Sequence, residues 1–276
     1  MTEALRAHRI TAEAPSIAGQ VRELLGAGHL FRMLFVRELR VRYKQTALGV
    51  AWVVLQPLVP ALIFALVFGA FAKLPSGGTP YFLFALSGLV IFGLFSNAVS
   101  RAGTAFIRDG QLVSKVYFPR ALLPLASGSA AIVDFAVGMA ALLVLMLATG
   151  AAPTIALLAA PLIALLALAL GLAVGLAVSA LSAHYRDFAI AIPFVLQVLM
   201  YASPVVYSAE LVPPQLRATY DLNPLVVITE VFRSALLGTA APSTPELGLA
   251  LAVSALVVIV SVLVFSRVSR DLTDIL

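Results

Sequence analysis

Hydrophobic and polar positions along the chain follow two regimes that meet near residue 47. Before it, helical spacing of about 100° per residue places Arg37, Arg40 and Lys44 within an arc of roughly 60°, and Phe31, Phe35 and Leu39 on an apolar stripe elsewhere. Glu38 and Arg42 are four apart, the spacing of an ion pair along a helix surface. Tyr43 and Trp52 are amphipathic rings of the kind found at headgroup level. The pattern predicts an amphipathic interface helix over 29–46. The polar segment before it, 1–28, has scattered charges and no apolar core of a cleavable signal peptide. After it, no charge occurs from Ala47 until Lys73. At ~1.5 Å per residue that run crosses the ~30 Å hydrocarbon core of a bilayer.

Further apolar stretches extend the second regime through 47–276. Together they predict six spans, at about 50–72, 81–100, 121–149, 155–181, 189–207 and 248–266. A membrane admits helices or closed barrels, and no stretch shows the short alternation of barrel strands. The expected fold is therefore an all-α integral membrane protein with six transmembrane helices per subunit. Of its 18 Lys and Arg, all but Lys73, Arg217 and Arg233 fall on one side of this arrangement, which predicts that both termini are cytoplasmic.

The segment 208–238 breaks the regularity. Asn223 is a candidate cap, Pro224 stands at a first helical position and Gly238 at a stop. Its roughly 14 helical residues reach only ~21 Å. Glu230 and Arg233 would each cost ~2.5–3.5 kcal/mol at mid-bilayer. The expectation is a re-entrant helical hairpin that dips in from the outer face, its turns covered by protein or facing a wet cavity.

Composition changes this picture only by exclusion. With 62% hydrophobic and 11% charged residues, and a mean hydropathy of +1.05, the 29.0 kDa chain is not a soluble globule. Its net charge of +5 flanks apolar spans, which assigns it to lipid headgroups and topology, not nucleic acid. The absence of cysteine removes thiolate chemistry. No Gly-x-x-x-x-Gly-Lys-[Ser/Thr] surrounds Lys44, Lys73 or Lys115, and His8, His29 and His184 lack metal-binding spacing, so neither ATP nor a metal is expected on this chain. No repeat relates residues 50–149 to 155–266, as many secondary transporters would show.

Polar residues inside the spans are few. Asp134 is the only acidic residue in the six, either a proton carrier or, the favoured reading, a buried carboxyl bonded to a neighbouring hydroxyl or carbonyl. Gly171, Gly175 and Ser179 form a small-residue face for close helix packing. In the fifth span Gln197 and Tyr201 share a face, Pro193 and Pro204 interrupt backbone bonding, and Ser203 and Tyr207 add polar edges. Contact with a second subunit and contact with a water-filled path both explain it.

Ordered strings add what composition does not require. They are Arg42-Tyr-Lys-Gln-Thr-Ala-Leu-Gly49, Trp52, Leu55-Gln-Pro-Leu58, Asp109-Gly110, Ser114-Lys-Val-Tyr-Phe-Pro-Arg120, Val133-Asp-Phe135, Tyr185-Arg-Asp187, Ser203-Pro204, Leu222-Asn-Pro224 and Phe232-Arg233. From about Leu34 to Arg270 the chain resembles the permease subunits of type 2 ABC exporters for polysaccharides. Pro75-Ser-Gly-Gly-x-Pro80-Tyr81 is most similar in wording to the O-antigen exporters, and teichoic-acid and capsule exporters share other strings.

The resemblance implies a homodimer in the bacterial inner membrane beside two copies of an ABC ATPase that binds ATP and Mg, with a lipid-linked glycan as substrate. It implies a coupling helix in the first inner loop, and Thr104–Val113 is the stretch able to form one. The candidate coupling residues are Phe106, Arg108, Asp109, Leu112 and Lys115, with Phe106, Ile107 and Leu112 as apolar docking contacts, joined by Tyr185, Arg186 and Asp187. The outer hairpin is the implied gate, with Asn223, Pro224, Glu230 and Arg233. Aromatic faces suit a moving sugar chain, which makes Phe64, Phe68, Tyr81, Phe84, Tyr201 and Tyr207, with Gln197, the candidate path. Six spans are too few to enclose a wide path alone, so a symmetric dimer is the economical arrangement.

Overall fold

The computed structural model of the chain describes residues 17–43, 51–115, 119–151 and 154–269, with side chains for all of these except 17, 18, 20, 21, 43 and 111–115. Every regular element among them is helical. In chain order these are α1 (Ile17–Gly26), α2 (Gly28–Tyr43), α3 (Ala51–Phe64), α4 (Tyr81–Gly103), α5 (Ala105–Lys115), α6 (Leu122–Ser129), α7 (Ala131–Ala148), α8 (Ala160–His184), α9 (Asp187–Tyr201), α10 (Pro214–Tyr220), α11 (Pro224–Leu237) and α12 (Thr244–Val268). Short irregular helices extend two of them: a π-helical stretch, Ala65–Phe71, continues α3, and a 3-10 turn, Ile155–Ala159, leads into α8. Among the described residues, five runs are long and apolar enough to cross a membrane: Ala51–Phe71, Tyr81–Gly110, Leu122–Ala148, Ile155–His184 and Thr244–Val268.

α9 is the exception. The apolar run 189–207 reads as one helix in sequence, but α9 ends at Tyr201 after 15 residues. Pro204 has no N–H to donate, and it disfavours helical geometry at Ser203. The chain turns there instead. Pro193, by contrast, stays inside α9.

The core is arranged around α4. Its side chains are buried nearly all the way round, from Leu83 to Gly103, as a helix at the centre of a bundle requires. α8 lies along it at close range. A Cβ on Gly171 would come within 2.8 Å of the Phe95 carbonyl oxygen, and one on Gly175 within 2.6 Å of the Ala102 Cβ. The small-residue face is therefore what lets the α4 and α8 backbones approach. α12 packs on α8, while α7 and α3 flank α4. Outward faces carry Leu62, Leu66, Phe194, Val198, Leu251, Leu256 and Ile259, the surface expected of helices in lipid or against another subunit.

One end of this bundle carries α2, α5 and the α8–α9 turn. The other carries the segment after α9, together with α10 and α11. The candidate functional residues divide between these two ends.

Candidate functional site

At the first end, α4 stops at Gly103 and the chain continues at once as α5. α5 contains one non-helical residue, Asp109, with φ −123° and ψ 21°. That break turns the Asp109 carboxylate towards α2. Arg37 donates to Asp109, and Arg108 reaches Glu38 at 2.7 Å, Asp109 at 3.0 Å and the Ser127 hydroxyl at 3.2 Å. The interface-helix and coupling candidates thus form one four-charge network across two helices. Glu38 is paired with Arg108, not with Arg42 four residues on as the helical spacing suggests. The tertiary partner wins because Arg42 is drawn elsewhere.

It is drawn to Asp134. Arg42 lies 3.1 Å from that carboxylate, and Arg101 donates to the same oxygen. Arg101 and Asp134 are both buried. This corrects the expectation of a carboxyl bonded to a hydroxyl or carbonyl: with two guanidinium partners, Asp134 is an ionic joint between α2, α4 and α7. Arg101 was the missed partner. It stands one residue past the predicted second span, where it read as an ordinary loop charge.

Phe106 is also corrected. It is 1% exposed and stacks on Phe265 of α12 with ring centroids 6.5 Å apart, so it holds α5 onto the bundle and offers nothing to a partner. Its neighbour Ile107 is 44% exposed, and Arg108 is exposed beside it. Leu112 and Lys115 fall within α5, but their side chains lie outside the described set, as does all of Lys44. α5 packs against α8, whose C-terminus leads into exposed Tyr185, Arg186 and Asp187. The Tyr185 and Phe188 rings meet at 6.4 Å, and both are exposed at this end. Arg40 makes no ion pair with the network among the described residues and lines an open hollow of about 550 Å³ with His29, Arg32 and Arg37.

At the opposite end, α11 begins as its sequence dictates. The Asn223 side chain accepts from the Leu225 N–H at 3.1 Å, Pro224 follows, and Gly238 closes the helix in the left-handed conformation. The Asn223 amide also donates to the Ser203 hydroxyl at 2.8 Å, which ties the cap to the turn after α9. Arg233 is fully enclosed. Its guanidinium donates to the carbonyls of Phe84, Pro204 and Val205 and lies 3.7 Å over the Phe84 ring. Phe84 is therefore a buried platform for Arg233 and is corrected as a path residue. Tyr81 is half-buried with its hydroxyl donating to the Val206 carbonyl, so it too serves this anchor.

Glu230 makes no direct ion pair with Arg233 among the described residues. Burial pushes its carboxyl up, nearby Arg217 pulls it back, and Glu246 pushes it up again. Arg217 bridges Asp221 at 3.5 Å and Glu246 at 3.8 Å. Tyr220 donates to the Tyr207 hydroxyl at 3.2 Å, which donates in turn to the Tyr201 carbonyl at 2.9 Å. Of the remaining path candidates, Phe64 and Phe68 stack at 5.7 Å on the α3 side, while Gln197 and Tyr201 are exposed along α9. No ring contact joins these two groups among the described residues. No group of three His, Asp or Glu is placed to hold a metal among the described residues.

This layout is a helical bundle with a charged, cross-linked helix at one end and an anchored hairpin at the other. Residues 29–237 match the family of ABC-2 type transporters. The chain belongs to that family. This ABC-2 protein is similar to the O-antigen export system permease protein RfbA of Myxococcus xanthus, 27% identical over 216 residues that cover 78% of this chain and 82% of that one. It is similar also to RfbA of Klebsiella pneumoniae, 25% identical over 202 residues that cover 72% and 77%. The polysialic acid transport protein KpsM of Escherichia coli is 24% identical over 211 residues, covering 74% and 80%. The match begins at α2 and ends with α11, so it takes in both ends of the bundle.

Proposed function

We propose that this ABC-2 protein is the non-catalytic, membrane-spanning subunit of an ATP-driven exporter that moves a lipid-linked polysaccharide from the cytoplasm across the bacterial inner membrane. The observation that carries the reading is the run of relatives named as permease or transport proteins for O-antigen and polysialic acid, each covering more than two thirds of this chain. O-antigen is the first choice of glycan, and a capsule or teichoic-acid polymer the alternative.

In this reading the subunit is a homodimer, with two copies of a separate ATPase that holds ATP and Mg. The α5 end faces the cytoplasm with both termini. α9 is the fifth of six spans: its 15 residues reach only ~22 Å, and the turn after it completes the crossing. α10 and α11 form the re-entrant outer hairpin. Ile107, Arg108 and the Tyr185–Asp187 turn meet the ATPase.

The test expresses the chain with and without an ABC ATPase, sought in the neighbouring reading frame, in cells lacking their own exporter. Surface glycan should appear only with both, and purified chain should hydrolyse ATP only with that partner. Export driven by a proton gradient without the ATPase would overturn the reading in favour of a secondary transporter. Topology is tested separately on the cysteine-free chain. Single cysteines at Ser76 and Ala240 should react with an impermeant thiol reagent from outside, and one at Thr273 should not.

A further inference from the structure

Between α3, α4, α7 and α9 lies a cavity of about 240 Å³ that the residues discussed so far do not explain. Gln56, Phe92, Asn97, Asp134, Phe135 and Met200 are among the residues that line it. The ion pairs of Asp134 join helices. The side chains of Gln56, which is exposed at the mouth of the cavity, and Asn97, which is half-buried, have no hydrogen-bond partner among the described residues. Gln56 lies five residues into α3 and Asn97 six residues before the end of α4, so both are ~8–9 Å along their helices from the α5 end. In the six-span reading both amides lie within the membrane, where polar side chains are satisfied by lining a wet cavity or meeting a ligand.

The chemistry of the walls points to one class of ligand. A carboxamide is both donor and acceptor, and two of them match the dense, mixed hydroxyls of a sugar. Phe92, Phe135 and Met200 supply an apolar face for the C–H side of the ring. A water cluster or an inorganic ion would have no use for that second wall. The volume falls below the ~300–1,000 Å³ of sites for drug-sized molecules, which limits the occupant to about a single ring.

We propose that this cavity is a transient, low-affinity contact for one pyranose unit of a passing glycan, with Gln56 and Asn97 as its hydrogen-bonding residues. The proposal rests on the exporter reading and adds to it a subsite independent of sugar identity. Such a contact must hold a unit weakly enough to release it, as in other conduction paths.

The test uses the full chain in lipid nanodiscs with three soluble trisaccharides as probes: maltotriose, mannotriose and galactotriose. Saturation-transfer NMR should show contact to their ring protons. Gln56→Leu or Asn97→Leu should weaken it by about fivefold each, the loss of roughly one net hydrogen bond. Met200→Trp, which fills the cavity and leaves both amides, should abolish it, and Leu162→Ala on the outward face of α8 should leave it unchanged. No transfer to any trisaccharide in the unmodified chain overturns the proposal. So does equal transfer in Gln56→Leu and Asn97→Leu, or a change in oligomeric state in those variants without sugar contact, which would assign the amides to a contact between copies. None of these outcomes touches the exporter reading, which fails only if surface glycan no longer requires the chain and its ATPase.

Discussion

Two buried arginines, Arg101 and Arg233, hold opposite ends of the same helix in different ways. Arg101, near the C-terminal end of α4, meets the Asp134 carboxylate, which it shares with Arg42 from α2. Arg233 comes from α11 to the N-terminal part of α4 and meets three backbone carbonyls and the face of Phe84. A carboxylate shared by two guanidiniums is a joint, because either cation can shift while the other keeps the charge compensated. Carbonyls belong to the backbone and offer no such exchange. The hairpin is therefore fastened to the start of α4 and to the turn after α9, and any opening at that end moves these pieces as one body. At the α5 end, helices meet through side chains that can change partners.

Removing the carbonyl anchor should have the largest effect. Arg233→Ala leaves the Pro204 and Val205 carbonyls without their donor in a dry site and removes three bonds to a charged group. Unsatisfied buried groups cost about 1–3 kcal/mol each, and the variant should lose roughly 4–6 kcal/mol in an SDS unfolding titration. Arg233→Lys should recover little, because one ammonium cannot span a planar fork of three acceptors. Near-native stability of Arg233→Ala would show that the hairpin is held elsewhere.

The ionic joint is next. Asp134→Asn leaves Arg101 buried against a neutral amide, and breaking a buried pair from one side costs roughly 3–5 kcal/mol. Asp134→Leu combined with Arg101→Leu removes both buried charges and should restore most of that loss, since an apolar replacement of a buried pair is often neutral. If the double variant is no better than Asp134→Asn, the joint is held by Arg42 more than by Arg101.

How much of this was legible in sequence follows from the range of each interaction. Asn223, Pro224 and Gly238 delimit α11 through bonds to neighbours one to four residues away, so their pattern was sufficient. The long apolar runs likewise marked the spans, because burial in lipid depends on composition along one helix. Asp134 finds Arg101 across 33 residues, and Arg108 finds Glu38 across 70. No local rule reaches that far, and the one that was available, i to i+4, pointed Glu38 at Arg42. Phe106 failed for a related reason. A short amphipathic helix announces an apolar face, but whether that face meets its own bundle or a partner depends on Phe265, far along the chain. The end of α9 was readable in principle from Pro204, whose effect on Ser203 was outweighed by the apolar run around it.

Phe106 and Ile107 turn that ambiguity into a measurement. Phe106→Ala opens a cavity beneath α5 and should cost about 3 kcal/mol of stability by the same SDS titration. Ile107→Ala, on the exposed side, should change stability by no more than about 0.5 kcal/mol. In the proposed exporter it should instead weaken binding of the partner ATPase by more than about 1 kcal/mol, as truncation of an interface anchor does. The reverse pattern would mean that α5 turns over when the ATPase docks.

The smallest effect separates the two kinds of electrostatics most clearly. Arg108 and Glu38 are partly open to solvent, at 43% and 14% side-chain exposure, whereas Arg101 and Asp134 are at 9% and 7%. Exposed pairs contribute about 0.2–1 kcal/mol, and a double-mutant cycle with Glu38→Gln and Arg108→Gln should return a coupling in that range. Salt screens charges that face water, with a Debye length of about 10 Å at 0.1 M and about 3 Å at 1 M. The Glu38–Arg108 coupling should therefore fade between those concentrations, while the loss caused by Asp134→Asn stays nearly constant because that pair is shielded from ions by protein. Equal salt sensitivity at both positions would mean that ions reach the Arg101–Asp134 pair, and would remove the distinction between a buried joint and a surface tether. A Glu38–Arg108 coupling that survives 1 M salt would instead mean that α2 and α5 are clamped together as tightly as the hairpin is clamped to α4.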